Sequence, residues 1–164
     1  MENVKVRKSP IQGKGVYALK NYKKGESILE IDDSHVVTDP STLTKQQYEY
    51  DCDYLADKVI LMQEPEKFIN HSCNPSTYVK TINSTRKVIA MHNIKTGDEI
   101  TYDYSINGDN EGTFECHCGS TNCRKIYNGN FFKLPIKTQK KYLLYLDDWF
   151  VEKYKKEIEH LKQE

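Results

Sequence analysis

Three of the five cysteines, Cys116, Cys118 and Cys123, fall within the run Phe114–Lys125 with the spacing Cys-x-Cys-x4-Cys. Thiols this close on a loop of Gly119, Ser120 and Asn122 are hard to explain as packing. They read as three ligands of a tetrahedral zinc site that lacks its fourth. By context the fourth is Cys73, in Asn70-His71-Ser72-Cys73-Asn74-Pro75. Four thiolates leave no open position, so the metal is structural and ties the end of the chain to its middle. Asn70 and His71 offer an amide and an imidazole to a polar ligand. In Glu99-Ile100-Thr101-Tyr102-Asp103-Tyr104 the alternation of a strand places Tyr102 and Tyr104 on one face, where two phenols can line a narrow channel for an amine. Gly13-Lys14-Gly15 lets the backbone approach a ligand closely. A competing chemistry is a cysteine hydrolase using His71 and Cys73, but no acyl-binding signature accompanies the pair.

The elements that must position these groups are short. Apolar and β-branched runs occur at 15–19, 27–31, 35–38, 58–62, 77–82, 88–92 and 99–104, separated by turn signals such as Lys24-Gly25, Asp39-Pro40 and Thr96-Gly97-Asp98. Many short strands with little helix between them predict a mainly β domain. Residues 78–82 and 87–91 read as a hairpin joined by Asn83–Arg86. Residues 41–55, rich in tyrosine and acid, read as irregular or as one short helix. Asp147 or Asp148 can cap an amphipathic helix carrying Phe150, Val151, Tyr154, Ile158 and Leu161.

Lys plus Arg (24) equal Asp plus Glu (24), which argues against a general nucleic-acid binder. Residues 1–123 hold 14 basic and 18 acidic side chains and residues 124–164 hold 10 and 6, so the larger part is mildly acidic and suits a cationic ligand or peptide. No apolar run is long enough to span a membrane, and Met1–Lys5 has no leader-like apolar stretch. The expected location is intracellular, cytoplasm or nucleus, where clustered cysteines bind metal more often than they form disulfides. Cys52 reads as a free thiol. His35, His92 and His160 read as structural or surface residues, His117 points away from the metal, and Trp149 belongs to the core. Phe131 and Phe132 either cap the amine channel or pack the C-terminal helix.

The order Gly13-Lys14-Gly15, Lys67–Pro75, Glu99–Tyr104 and Cys116–Arg124 resembles the SET-domain family of protein-lysine methyltransferases over roughly residues 5–125. The terminal cluster resembles the cysteine-rich post-SET segment of compact, free-standing members. The resemblance implies a SET-domain fold of small β-sheets, with the Asn70–Cys73 and Tyr102–Tyr104 segments crossing in a knot-like arrangement. It divides the chain into a catalytic domain at 1–110, a zinc-binding segment at 111–130 and a helical extension at 131–164. It implies S-adenosylmethionine on one side of a channel and the lysine of a protein or peptide substrate, a histone or another basic protein, on the other. Gly13-Lys14-Gly15 would hold the cofactor through backbone contacts, with Asn70 and His71 beside the knot. Tyr104 would be the catalytic tyrosine and Tyr102 its neighbour that limits the number of methyl groups.

Four positions depart from the family pattern: Lys67 for a common arginine, Ser76 for asparagine, Lys125 for a frequent glycine and Ile31 for an aromatic. Ile31 would widen the channel unless another tyrosine, such as Tyr48 or Tyr54, serves instead. A catalytically weak SET-like module that binds zinc and a protein partner is the alternative that Ile31 and Lys67 raise. Retained Asn70, His71 and Tyr104 speak against it.

Overall fold

Alternating valines begin the chain's first hairpin. In the computed structural model, which describes residues 3–163, β1 (Val4–Lys8) pairs antiparallel with β2 (Lys14–Ala18). β3 (Ser27–Glu30) follows. A 3-10 turn at Pro40–Thr42 and helix α1 (Lys45–Tyr50) then lead into a small hairpin of β4 (Cys52–Leu55) and β5 (Lys58–Leu61). α1 starts where it does because Thr44 and Gln47 form a reciprocal capping box. After a 3-10 turn at Glu66–Phe68 come β6 (Asn70–His71), β7 (Thr77–Ile82), β8 (Thr85–Ala90) and β9 (Glu99–Tyr102). The main sheet runs β1-β2-β9-β7-β8-β3, with β6 also paired to β9. β10 (Asp109–Glu115) and β11 (Ile126–Asn130) form a separate hairpin whose ends carry the cysteine loop. α2 (Ile136–Tyr142), α3 (Asp148–Lys153) and α4 (Lys155–Gln163) close the chain. None of these helices is long and apolar enough to cross a membrane.

The mainly β reading holds, and several boundaries move. Residues 35–38 are not a strand: Val36 makes a single bridge to Ile60. The β7–β8 hairpin turns on two residues rather than four, because Asn83 and Ser84 both take positive φ (51° and 65°). Such a turn matches the twist of the strands it joins. The strand expected at 99–104 stops at Tyr102. The single C-terminal helix expected after Asp147 is broken at Tyr154 (φ −114°, ψ 35°), whose hydroxyl instead reaches Asp109 Oδ2 at 2.8 Å.

Two apolar clusters fill the interior. One lies under the main sheet and includes Val16, Ile28, Ile69, Val88 and Ile100. The other joins Met91 and Ile106 to Phe131, Tyr142, Leu146, Phe150, Ile158 and Leu161. Tyr102 packs against both. Phe131 and Phe132 take the second of their two readings: Phe132 stacks on Phe150 at 5.8 Å and Phe131 is fully buried. Trp149 lies at the edge of the same cluster, as its core reading requires.

Candidate active site and metal centre

β6 and β9 run parallel, with Asn70 opposite Thr101 and His71 opposite Tyr102. The Ser72 amide donates to the Tyr102 carbonyl at 2.9 Å. Beyond β9 the chain folds back across β6. The Tyr104 amide donates to His71 Nδ1 at 3.2 Å, and the Tyr104 hydroxyl donates to the Ile69 carbonyl at 2.6 Å. Tyr102 and Tyr104 thus come together, ring centroids 6.3 Å apart, through this crossing rather than through strand alternation. Tyr104 is 37% exposed as a side chain, but both hydroxyls turn inward onto carbonyls. Loss of hydration there pushes both phenols above their ordinary pKa, so at neutral pH both are hydroxyls and neither is a phenolate base.

His71 is 4% exposed. Burial, reinforced by Arg124 against the pull of Asp103, lowers its pKa to about 4. The neutral imidazole accepts at Nδ1, which assigns the proton to Nε2. Nε2 faces Cys73 Sγ at 3.5 Å. The hydrolase reading has this one contact in its favour, but Cys73 is 3% exposed and leaves no access for an acyl substrate.

The sulfurs of Cys73, Cys116, Cys118 and Cys123 all lie within 4.8 Å of one another. Cys73 and Cys116 are 3.8 Å apart, close to the edge of a tetrahedron with metal–sulfur bonds of about 2.3 Å. The group's hydrogen bonding suits thiolates at three of the four sulfurs, while burial raises both Cys73 and Cys116 as free thiols. Backbone amides of Cys73, Arg124 and Lys125 donate to Cys118, Cys73 and Cys123 sulfurs at 3.4–3.5 Å, as thiolates require. Burial raises Cys118, but hydrogen bonds from the Ser120 hydroxyl and the Cys73 amide outweigh it and bring the thiol down to about 6, while burial holds Cys73 up at about 11. His117 points to Glu115 at 3.8 Å and is exposed. Cys52 stands outside the cluster.

Asn70, placed beside a ligand from sequence, spends its amide on the protein. Nδ2 donates to the carbonyls of Lys14 (2.9 Å) and Gln12 (3.3 Å) and to Glu99 Oε1 (2.9 Å). It clips the Gly13-Lys14 segment to the crossing. Glu99, which opens the Glu99–Tyr104 run but has no role of its own assigned by sequence, also accepts from Ser9 and Tyr17 hydroxyls. A Cβ at position 15 would lie 2.3 Å from Glu99 Oε1, so only glycine fits there. Gly13 needs its freedom for a different reason, φ +48°, and opens onto empty space. Next to it, Lys14 and Lys67 both place their ammonium groups over the Phe68 ring, at 4.8 and 5.0 Å.

Sequence reading missed the group that joins the two sites. Asp103, fully buried, accepts both arms of Arg124 at 2.7 and 2.8 Å and the Tyr142 hydroxyl at 2.9 Å. It also missed Phe114 and Tyr127, stacked at 4.3 Å beside His71. The residue following Arg124, Lys125, has φ +68°, which explains why glycine suits that position. Ile31 packs on the main-sheet core, while Tyr48 and Tyr54 are 60% and 53% exposed and do not fill the aromatic's place. Replacing Asp103 with alanine strands the Arg124 guanidinium. A loss of roughly 3–5 kcal/mol in unfolding free energy is expected. Urea titration measures it, and a loss under 1 kcal/mol, of the order of one ordinary hydrogen bond, would show that Arg124 finds water instead.

The architecture defines a class: a mainly β domain in which crossed segments hold two tyrosine hydroxyls beside a cluster of four thiols that could hold a metal ion. A family model described as the SET domain matches residues 13–105, and the chain belongs to that family. Histone-lysine N-methyltransferase trr of Drosophila melanogaster is 33% identical over 141 residues, covering 77% of this chain and 6% of the relative. Human histone-lysine N-methyltransferase 2D is 29% identical, covering 77% of this chain and 2% of the relative. The H3 lysine-36 specific histone-lysine N-methyltransferase of Debaryomyces hansenii is 29% identical over 143 residues, covering 77% and 19%. The chain therefore spans only a small part of these relatives. Among solved structures, a Plasmodium falciparum protein assigned as a histone methyltransferase superposes with a TM-score of 0.53 at 25% identity, covering 63% of this chain and 94% of that one.

Proposed function

We propose that this chain is a protein-lysine methyltransferase that uses S-adenosylmethionine and holds one structural zinc through Cys73, Cys116, Cys118 and Cys123. The observation that carries the reading is the Tyr104 hydroxyl, drawn across β6 to the Ile69 carbonyl at 2.6 Å beside Tyr102. In this reading residues 1–110 are the catalytic domain, 111–130 the zinc segment and 131–164 a helical extension. The substrate is a protein of the kind the relatives' names indicate, a histone or another basic protein, in the nucleus or cytoplasm.

The residues near Gly13 suit the cofactor. Two cations beside an aromatic ring, Lys14 and Lys67 over Phe68, match a ligand with a carboxylate and a flat base. The open backbone at Gly13, held in place by Asn70, admits close approach. Bound there, the cofactor supplies an electrophilic methyl group and a positive charge. The chain's own residues do the rest. A lysine amine must be neutral to react, which near pH 7 costs about 4–5 kcal/mol from its ordinary pKa. Burial among Tyr102, Tyr104 and Tyr127 lowers that cost, because it disfavours the ammonium. Carbonyls and protonated phenols then orient the amine, so positioning, and no general base, carries the rate.

Incubation with labelled S-adenosylmethionine and histones, followed by mass spectrometry, tests the reading. Label on lysine is expected, and none on histones or on any protein of a whole lysate would overturn it. Tyr102 sets a further expectation. Its hydroxyl, bound to the Ile106 carbonyl, occupies room that an added methyl group needs. The unaltered protein should stop at mono- or dimethyl-lysine, and Tyr102→Phe should advance the product by one methyl group. Trimethyl-lysine as the main product of the unaltered protein would show that Tyr102 sets no limit.

A further inference from the structure

Ala56, Asp57, Trp149, Glu152 and Lys153 line a cleft of about 470 Å³ between the β4–β5 turn and α3. Its two lips stand on one cross-strand pair of the β7–β8 hairpin, Thr81 opposite Arg86. Arg86 donates to Asp53 on β4 at 2.7 Å and so anchors the first lip. Thr81 donates through its amide and hydroxyl to Asp147, the cap of α3, at 3.1 and 2.7 Å and anchors the second. The same β7 begins at Thr77, paired with Tyr102. The cleft is a shallow, open depression whose two lips are both tied to the hairpin that leads out of the crossing.

Its chemistry is one-sided. The indole of Trp149 forms an aromatic wall. The Asp57 and Glu152 carboxylates are exposed and make no hydrogen bond or ion pair among the described residues. The one cation in the lining, Lys153, is occupied by Asp109 at 2.6 Å. The stretch that builds the first lip, residues 30–64, carries nine acidic side chains against two basic ones. Glu30, Asp33, Glu49, Asp53 and Glu64 are paired with Lys or Arg side chains, whereas Asp57 is not among the described residues. An aromatic face flanked by two unpaired carboxylates favours a cation. We infer that this cleft receives an arginine or lysine side chain flanking the methylated lysine of the substrate, an inference that rests on the methyltransferase reading.

Trp149 is the chain's sole tryptophan, so its fluorescence reports on the cleft without any need for turnover. The probes are two lysine peptides that differ only in flank, one with arginines and the other with glutamines. The arginine peptide should shift the Trp149 emission to saturation, and the glutamine peptide should need about tenfold more. The same preference should appear in kcat/KM, and it should fall to about unity in the Asp57→Asn/Glu152→Gln double variant, whose substitutions are exposed. Equal responses to the two peptides, or a preference that survives in the double variant, would overturn the inference. A Trp149 response specific for arginine without methyl transfer to any peptide would support the cleft and count against the methyltransferase reading.

Discussion

Replacing Tyr104 with phenylalanine is expected to cut methyl transfer by about 10²–10³-fold, the usual effect of removing one preorganised hydroxyl donor from an active site. The ring should stay where it is. It packs against His71 at 5.3 Å and Tyr127 at 6.0 Å, and phenylalanine preserves both contacts. What is lost is the bond to the Ile69 carbonyl, worth about 1 kcal/mol of stability, so the variant should fold. In the proposed reading the hydroxyl acts mainly in the transition state, so turnover should fall while cofactor affinity holds. Single-turnover rates and calorimetric titration with S-adenosylmethionine separate the two. Turnover near that of the unaltered protein would move the catalytic role away from Tyr104.

Removal of the metal should have the other large effect. About one zinc per chain is expected, and Cys73→Ser should lose it, since three thiolates no longer close the tetrahedron. Metal binding in such closed sites is folding free energy. Apart from the metal, the Cys116–Lys125 loop is held at its C-terminal end by Arg124 on Asp103 at 2.7 and 2.8 Å, by the Cys116 amide on the Lys125 carbonyl at 2.7 Å, and by Asn122 on the Cys73 carbonyl at 3.3 Å. After chelation the loop between Cys116 and Cys123 should become open to protease, while Arg124 stays on Asp103 and the main sheet persists on its own apolar core. Activity should fall with the metal and return when zinc is restored. Full zinc retention by Cys73→Ser would remove Cys73 from the site, and full activity after chelation would uncouple the two centres.

How far the sequence reached differs from site to site. Short apolar runs announced a mainly β chain, and Thr77–Ile82 was legible to the residue because a strand's period is local. Its partner was misplaced because two consecutive positive-φ residues, neither of them glycine, hid a two-residue turn. The C-terminal helix was read correctly from spacing as to its apolar face. Its break at Tyr154 was not legible, because the apolar spacing runs through that residue unchanged and nothing local marks the non-helical backbone there. Phe131 and Phe132 stood equally open until the packing of α3 and α4 placed them.

By itself the sequence determined the reactive inventory: three thiols at metal spacing, the Asn70–Cys73 run and the tyrosines of Glu99–Tyr104. Residue type and local spacing suffice for that, since they fix which groups can ligate, donate or ionise. The tertiary structure decided which of these groups meet and what holds them. It brought Cys73 to Cys116 across 43 residues and turned Asn70 into a clip for Gly13-Lys14. It also set Glu99 against Gly15 and buried Asp103 between Arg124 and Tyr142. Each of these contacts closes a long loop and depends on backbone geometry that no local pattern encodes, so the groups that couple the cysteine cluster to the crossing become visible only once the chain is folded.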